Sequence, residues 1–250
     1  MSTAIEFEGV SYRASERELL RDVSFSVAAG ETLMLLGRSG SGKTTLLKLI
    51  NRLLVPERGR VMVSGRATVG WDVIALRRGI GYAIQNVGLF PHYTVEQNVG
   101  LLLRLEGKPE ATVRARVEEV LRLAGLEAGE YGRRYPAQLS GGEQHRVGIA
   151  RALAADPPVL LMDEPFGALD PLTRTQLQFD FHQLAKRLGK TVVFVTHDLN
   201  EALRLADRIA FLHEGTLRAL LAPEEFMQSS EASVREYLDA FQAGQQRISA

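Results

Sequence analysis

In these 250 residues, the groups that could do chemistry are one lysine in a glycine-rich octet, a pair of adjacent carboxylates and a histidine closing an apolar run. The octet Gly37-Arg38-Ser39-Gly40-Ser41-Gly42-Lys43-Thr44 follows the pattern G-x-x-x-x-G-K-[ST] of a loop that cradles phosphates. Phosphate oxygens need several amide donors converging on a small volume, and glycines let the backbone curl in without a Cβ in the way. A helix starting there adds unpaired N–H groups and the positive end of its dipole. Lys43 would reach the outer phosphates as a point charge, and Thr44 would offer a hydroxyl to a divalent cation.

Asp163 and Glu164 close the run Val159-Leu160-Leu161-Met162. An apolar strand that delivers an aspartate at its C-terminal end suits a carboxylate that holds Mg²⁺ beside a phosphate. Successive side chains diverge at a strand end, so Glu164 would be left to face an attacking water. His197 ends the run Thr191 to Val195 at the sheet edge where ligands collect. Gln85 stands in a similar place after Ile80 to Ile84, with an amide that could serve metal or water. Leu139-Ser140-Gly141-Gly142-Glu143-Gln144 precedes another helix. Ser140 can cap it, which makes a second anion site of the same physical type.

Short strands and longer helices must position these groups. Val23, Phe25 and Val27 alternate as in a half-buried strand, and Thr32 to Leu36 reads as a strand covered on both faces. Thr44 to Leu54 is expected as a helix, with further strands at Arg60 to Val63 and Ile80 to Ile84. Thr94 and Gln97 spell a capping box. Val113, Val117, Val120 and Leu121 form one apolar stripe on a helix. Asp170-Pro171 starts a further helix whose buried face is Leu177, Phe181, Leu184 and Leu188. Glu214-Gly215 joins two strands in a tight hairpin. The expected organisation is an α/β core over residues 1–86 and 158–250, interrupted by a helical subdomain over 87–157 that carries the serine-glycine motif.

Composition narrows the alternatives. Thirty basic residues balance thirty acidic ones, unlike the strongly basic balance of domains whose partner is a nucleic-acid backbone. With no cysteine, disulfides, thiolate nucleophiles and thiolate zinc sites are absent. No positive leader followed by an apolar stretch opens the chain, and no run reaches the ~20 apolar residues of a spanning helix. Membrane contact would therefore go through another protein.

Together, Tyr12, the octet, Gln85, Leu139-Ser140-Gly141-Gly142-Glu143, Asp163-Glu164, Gly167-Ala168-Leu169-Asp170 and His197 make the chain, from about residue 4 to residue 222, resemble the ATP-binding subunits of ABC transporters. That resemblance implies a P-loop NTPase fold with a mixed sheet flanked by helices and an inserted helical subdomain. It implies a head-to-tail dimer, in which two ATP molecules lie between the P-loop of one copy and the signature of the other. Tyr12 would stack on adenine. Gly37, Arg38, Ser39, Gly40, Ser41, Gly42, Lys43, Thr44 and Thr45 would surround the phosphates. Thr44, Gln85 and Asp163 would hold Mg²⁺, Glu164 would act as general base, and His197 would contact the γ-phosphate. Ser140, Gly141 and Gly142 would reach the partner's ATP, with Asp170 communicating across the dimer. Glu143 departs from the glutamine common at its position.

A narrower resemblance, carried by Leu76 to Gln85, Val87 to His92 and Phe166 to Arg174, is to the ATPases of glycine betaine, choline and related osmoprotectant importers. It implies permease subunits as partners, a solute-binding protein indirectly, and a peripheral place on the cytoplasmic face of the membrane. ABC ATPases of other importers, of exporters or of non-transport systems are the alternatives. About thirty residues follow the core, enough for one or two helices and too few for the regulatory module of larger members. Val87, Leu89, Phe90 and Tyr93 put apolar groups in a loop, either as a patch packed beneath it or as part of a groove for a permease helix.

Overall fold

A computed structural model describes residues 2–84, 87–166 and 169–248. Gln85, Gly167 and Ala168, among the expected site residues and motifs, lie outside the described residues. The chain divides into two compact units, Met1–Val73 with Val193–Ala250, and Ile74–Val192.

The first unit opens with β1 (Thr3–Ala14), β2 (Arg17–Ala28) and β3 (Thr32–Leu36), continues through α1 (Lys43–Ile50), and adds β4 (Arg58–Val63) and β5 (Arg66–Ala67). β2-β1-β4-β5 form an antiparallel sheet. Its inner face is built by the alternation seen in the sequence: Val23 and Val27 are fully buried, and Phe25 stacks on Phe7 with ring centroids 4.6 Å apart. β3 is buried along its whole length, as its unbroken apolar run requires.

α1 ends at Ile50, four residues before the expected Leu54. Asn51 caps it, its side-chain oxygen accepting from Leu53 N at 3.1 Å, and Arg52 turns left-handed at φ 53°. Leu53 and Val55 are consequently left exposed.

The second unit comprises α2 (Val73–Arg78, from its second residue), β6 (Ile80–Ala83), α3 (Val95–Leu105), α4 (Glu110–Leu123), α5 (Ala128–Tyr131), α6 (Gly141–Leu153), β7 (Val159–Asp163) and α7 (Pro171–Arg187). β6 and β7 pair in parallel, Ile80 opposite Val159 and Ala83 opposite Met162. A Cβ on Gly81 would lie 2.4 Å from the Ala152 carbonyl, so only glycine lets α6 lie this close to β6.

Four helices, α3 to α6, follow one another between β6 and β7. Thr94 and Gln97 make the expected capping box on α3. α4 buries Val113, Val117, Val120 and Leu121, the expected stripe. Its Arg116 donates to the carbonyls of Leu153 (2.9 Å) and Ala154 (3.0 Å), the end of α6 where a cation suits the helix dipole. α7 starts at Asp170-Pro171 and buries Leu177, Phe181 and Leu184. Leu188, expected on that face, is instead the half-buried C-cap, and Gln178 is buried in the helix body.

The chain then runs through β8 (Thr191–Val195), α8 (Leu199–Leu205), β9 (Arg208–His213), β10 (Thr216–Leu221), α9 (Pro223–Met227) and α10 (Ala232–Ile248). Within the first unit β9 pairs in parallel with β3 and antiparallel with β10, which makes the sheet mixed. The hairpin turn Glu214-Gly215 has φ 47° and 76°, the left-handed pair that a two-residue loop needs to match strand twist.

Candidate functional site

The octet occupies the turn from β3 to α1 in the first unit. Gly37 (φ 150°), Gly40 (φ 78°) and Gly42 (φ 104°) hold backbone conformations that L side chains rarely adopt. Space enforces the same choice at two of them. A Cβ on Gly37 would lie 2.2 Å from the Leu212 carbonyl of β9, and one on Gly42 would lie 2.6 Å from Leu20 of β2. The loop is thus pressed between two sheets, and its curl follows from the glycines.

Gly42 is the N-cap of α1, with no side-chain cap hydrogen bond and no acidic residue in the first turn. The helix's first amides and its dipole therefore face the loop without a local carboxylate. Lys43, 5% exposed, donates from Nζ to the carbonyls of Gly37 (2.7 Å) and Arg38 (2.9 Å) and so spans the turn. Ser41 is buried, and its Oγ has no hydrogen-bond partner. An orphan hydroxyl, an uncapped helix and a buried ammonium group in one turn fit a phosphate ligand. Thr44 and Thr45 are half-buried beside them, while Arg38, Ser39 and Gly40 are exposed. A cleft of about 390 Å³ is lined by Arg38 to Ser41 together with Arg17, Arg21 and Glu214.

Two more expected residues belong to this unit. Tyr12 lies half-exposed on β1 opposite Leu20, with register irregularities on both sides, and such bulges re-aim a side chain. His197 is exposed just beyond β8. Asp198 follows it, accepting from Asn200 N at 2.9 Å as the cap of α8.

The second unit holds the carboxylates and the signature. Asp163 ends β7 and is half-buried. Tyr82 of β6 hydrogen-bonds to it, and the Tyr82 phenol is pushed up to about 12, by burial first and by the Asp163 charge second. It remains a donor at any working pH. Tyr82 is not among the residues that the sequence motifs single out, because its contact with Asp163 joins positions distant along the chain. Glu164 is half-buried and adopts φ 45°, a left-handed conformation that a non-glycine residue holds only when its surroundings enforce it.

Ser140 caps α6, its Oγ accepting from Glu143 N at 3.3 Å. Glu143 completes a capping box by accepting from Ser140 N at 2.7 Å. This gives the departure at Glu143 a structural role: its carboxylate closes the start of its own helix. Its pKa is lowered, chiefly by the Ser140 amide and hydroxyl. Gly141 and Gly142 have ordinary φ values, and a Cβ on Gly141 would meet nothing closer than 3.9 Å.

His145, further along α6, is buried and donates to the Pro165 carbonyl. Burial pushes its imidazole below the ordinary range, partly offset by that hydrogen bond. Asp170 caps α7, accepting from Thr173 N at 3.1 Å. Its pKa is lowered by the Thr173 hydroxyl first and the Thr173 amide second.

The loop before α3 is stitched down by polar side chains the sequence did not flag. Asn98, fully buried, accepts from Phe90 N (2.8 Å) and donates to the carbonyls of Phe90 (3.1 Å) and Tyr93 (3.0 Å). Arg151 donates to Gly88 O (2.7 Å) and Val87 O (2.6 Å). Val87 packs against α6, since a Cβ on Gly148 would fall 2.6 Å from its methyl group. Phe90, 42% exposed, clusters with Tyr93 and His92. The loop therefore has both an inner apolar anchor and an outward aromatic cluster.

Among the described residues no group of three or more His, Cys, Asp or Glu is placed to hold a metal. No helix there is long and apolar enough to cross a membrane.

Comparison with known proteins adds a family. A model described as ABC transporter matches residues 20–167. The chain is 45% identical over 232 residues to the glycine betaine/carnitine/choline transport ATP-binding protein OpuCA of Bacillus subtilis (strain 168), covering 93% of this chain and 60% of that one. It is 47% identical over 211 residues to the glycine betaine uptake system ATP-binding protein YehX of Escherichia coli (strain K12), covering 84% and 68%. Among solved structures it resembles the dimeric post-hydrolysis state of the ATP-binding cassette MJ0796 bound to ADP and Pi, with TM-score 0.78 and 35% identity over 88% of this chain and 98% of that one. The chain spans about 60% of the length of OpuCA and 58% of two further relatives, a choline transport and an osmoprotectant import ATP-binding protein.

Proposed function

The chain belongs to the ABC transporter family as an ATP-binding cassette, and from that premise we propose that it hydrolyses ATP to drive an importer of glycine betaine, choline or a related osmoprotectant. The observation that carries the hydrolase reading is the β3–α1 turn, with its uncapped helix, buried Lys43 and unpartnered Ser41 hydroxyl. The solute class rests on the resemblance to OpuCA and YehX.

In this reading Tyr12 stacks on adenine. The amides from Gly37 to Gly42, with Lys43, Thr44 and Thr45, neutralise the β- and γ-phosphates. Glu164 accepts the proton of the attacking water as its oxygen bonds to the γ-phosphorus. The bond from that phosphorus to the β–γ bridging oxygen breaks, and ADP and phosphate leave. Catalysis by positioning and charge neutralisation is the general pattern of phosphoryl transfer. Thr44, Asp163 and Gln85 are all oxygen donors suited to a hard cation, and Mg²⁺ bound there would offset phosphate charge. His197 contacts the γ-phosphate.

Ser140, Gly141 and Gly142, on the helical subdomain over 87–157, bind the ATP of a second copy, with Asp170 at the same dimer interface. The aromatic cluster at Phe90, His92 and Tyr93 forms part of a groove for a cytoplasmic helix of a permease subunit. That contact keeps the chain peripheral on the cytoplasmic face of the membrane, with a solute-binding protein as an indirect partner.

The test is ATP turnover with Mg²⁺. Wild-type protein should release phosphate, and Glu164→Gln should bind ATP while losing roughly 10²–10⁴-fold in rate, the range for a general base. Near-normal turnover in Glu164→Gln would remove that residue from the role.

A further inference from the structure

Two consecutive residues of α10 reach two parts of the first unit's nucleotide machinery. Glu236 Oε1 accepts from Arg38 of the octet at 2.8 Å. Tyr237 donates its hydroxyl proton to the backbone carbonyl of His197 at 2.9 Å. Neighbouring helix positions point about 100° apart, so α10 can serve both contacts at once. The helix is anchored by Val234 (0% exposed) and Leu238 (3%), and the Tyr237 ring lies 5.2 Å from Phe211 of β9. The phenol is thus delivered by a packed element.

The turn it reaches is short and closely tied. Asp198 N donates to Thr196 Oγ1 at 2.9 Å, and Asp198 Oδ1 accepts from Asn200 N at 2.9 Å. Those bonds fix the residues on either side of His197. The Tyr237 bond fixes the peptide plane between His197 and Asp198, and with it the backbone torsion that aims the imidazole. A side chain meant to meet one phosphate oxygen needs its backbone held, because a misplacement of about 1 Å can cost a large rate factor. The Arg38–Glu236 pair is exposed on both partners and contributes little by itself. The hydrogen bond to the His197 backbone is supplied by Tyr237, whose ring is packed against Phe211.

We propose that Tyr237 is a positioning residue for ATP hydrolysis, holding the His197 carbonyl so that the imidazole is aimed at the γ-phosphate; this rests on the hydrolase reading above. Tyr237→Phe removes the hydroxyl and keeps the ring against Phe211. It should lower kcat about fivefold, the equivalent of one ordinary hydrogen bond, while KM for ATP holds and Tm falls by no more than the loss of one such bond. In a His197→Ala background the same change should have no further effect on residual turnover. Hydrogen exchange at the amides of residues 198–200 should quicken in Tyr237→Phe.

Wild-type kcat in Tyr237→Phe, or an equal loss in the His197→Ala background, would overturn the proposal. If wild-type protein hydrolyses no ATP, the hydrolase reading fails, and the exchange measurement then decides whether Tyr237 holds the turn. Unchanged exchange there would overturn the positioning role by itself.

Discussion

The two glycine-containing helix starts, before α1 and before α6, look alike in sequence and differ in construction. The first is built from left-handed glycines wedged against Leu212 and Leu20, with an uncapped helix and a lysine folded across it. The second has ordinary backbone and a complete capping box, and a Cβ on Gly141 would meet only Leu169, at an ordinary 3.9 Å. The first turn needs its glycines in order to fold. In the second, a Cβ on Gly142 would press on the Thr173 methyl at 3.0 Å, but Gly141 has no such constraint. Any demand for a bare backbone at Gly141 must therefore come from something that approaches it. That asymmetry suits a nucleotide gripped by the first turn of one copy and covered by the second turn of another.

The largest expected difference is in ligand affinity. Lys43→Ala should weaken nucleotide binding roughly 10²-fold, the scale of truncating one member of a buried charge pair. Gly141→Ala in the same titration of dilute protein should leave affinity within about twofold of wild type, yet ATP turnover should fall. Equal losses of affinity in the two variants would erase the distinction between the turns.

Stability should separate them next. Gly37→Ala sets a Cβ 2.2 Å from a backbone carbonyl at φ 150°, and should cost about 3 kcal/mol or more. Gly141→Ala replaces a glycine inside helix α6 and should add between zero and about 1 kcal/mol. Paired denaturant titrations read both values, and a severe cost at Gly141 would contradict the ordinary contact distance seen there.

Much of this contrast was legible beforehand, and some of it was not. The octet, the Thr94–Gln97 box, the α4 stripe and the Asp170-Pro171 start are local patterns, each fixed by residues within one or two turns. The end of α1 departs from the sequence pattern because Leu53 and Leu54 continue the apolar rhythm, while Asn51 and a left-handed Arg52 stop the helix. Glu143 read as a departure from the usual signature, because the capping box that uses it only becomes visible once Ser140 and α6 are placed. Tyr82 beside Asp163, Asn98 beneath the aromatic loop and Tyr237 on His197 are contacts between residues distant in sequence. No periodicity encodes them.

Smaller effects sharpen the account of α6. Ser140→Ala should cost about 1 kcal/mol through the lost cap, measured as a shift in unfolding midpoint. His145 contributes a pH dependence of known sign. Its pKa is lowered in the folded state, so the unfolded chain takes up the proton first. Stability from this group is complete above the ordinary histidine value of 6.5 and falls as pH drops below it. Tm of wild-type protein should decline through that window more steeply than Tm of His145→Gln.

The most direct test of the central claim is the mass of Glu164→Gln in solution, followed by light scattering as ATP is added. The account predicts a nucleotide-dependent doubling of mass that a second substitution, Ser140→Arg, prevents without weakening nucleotide binding. A protein that stays monomeric at saturating ATP, or that doubles equally well with Ser140→Arg, would contradict a site shared between two copies.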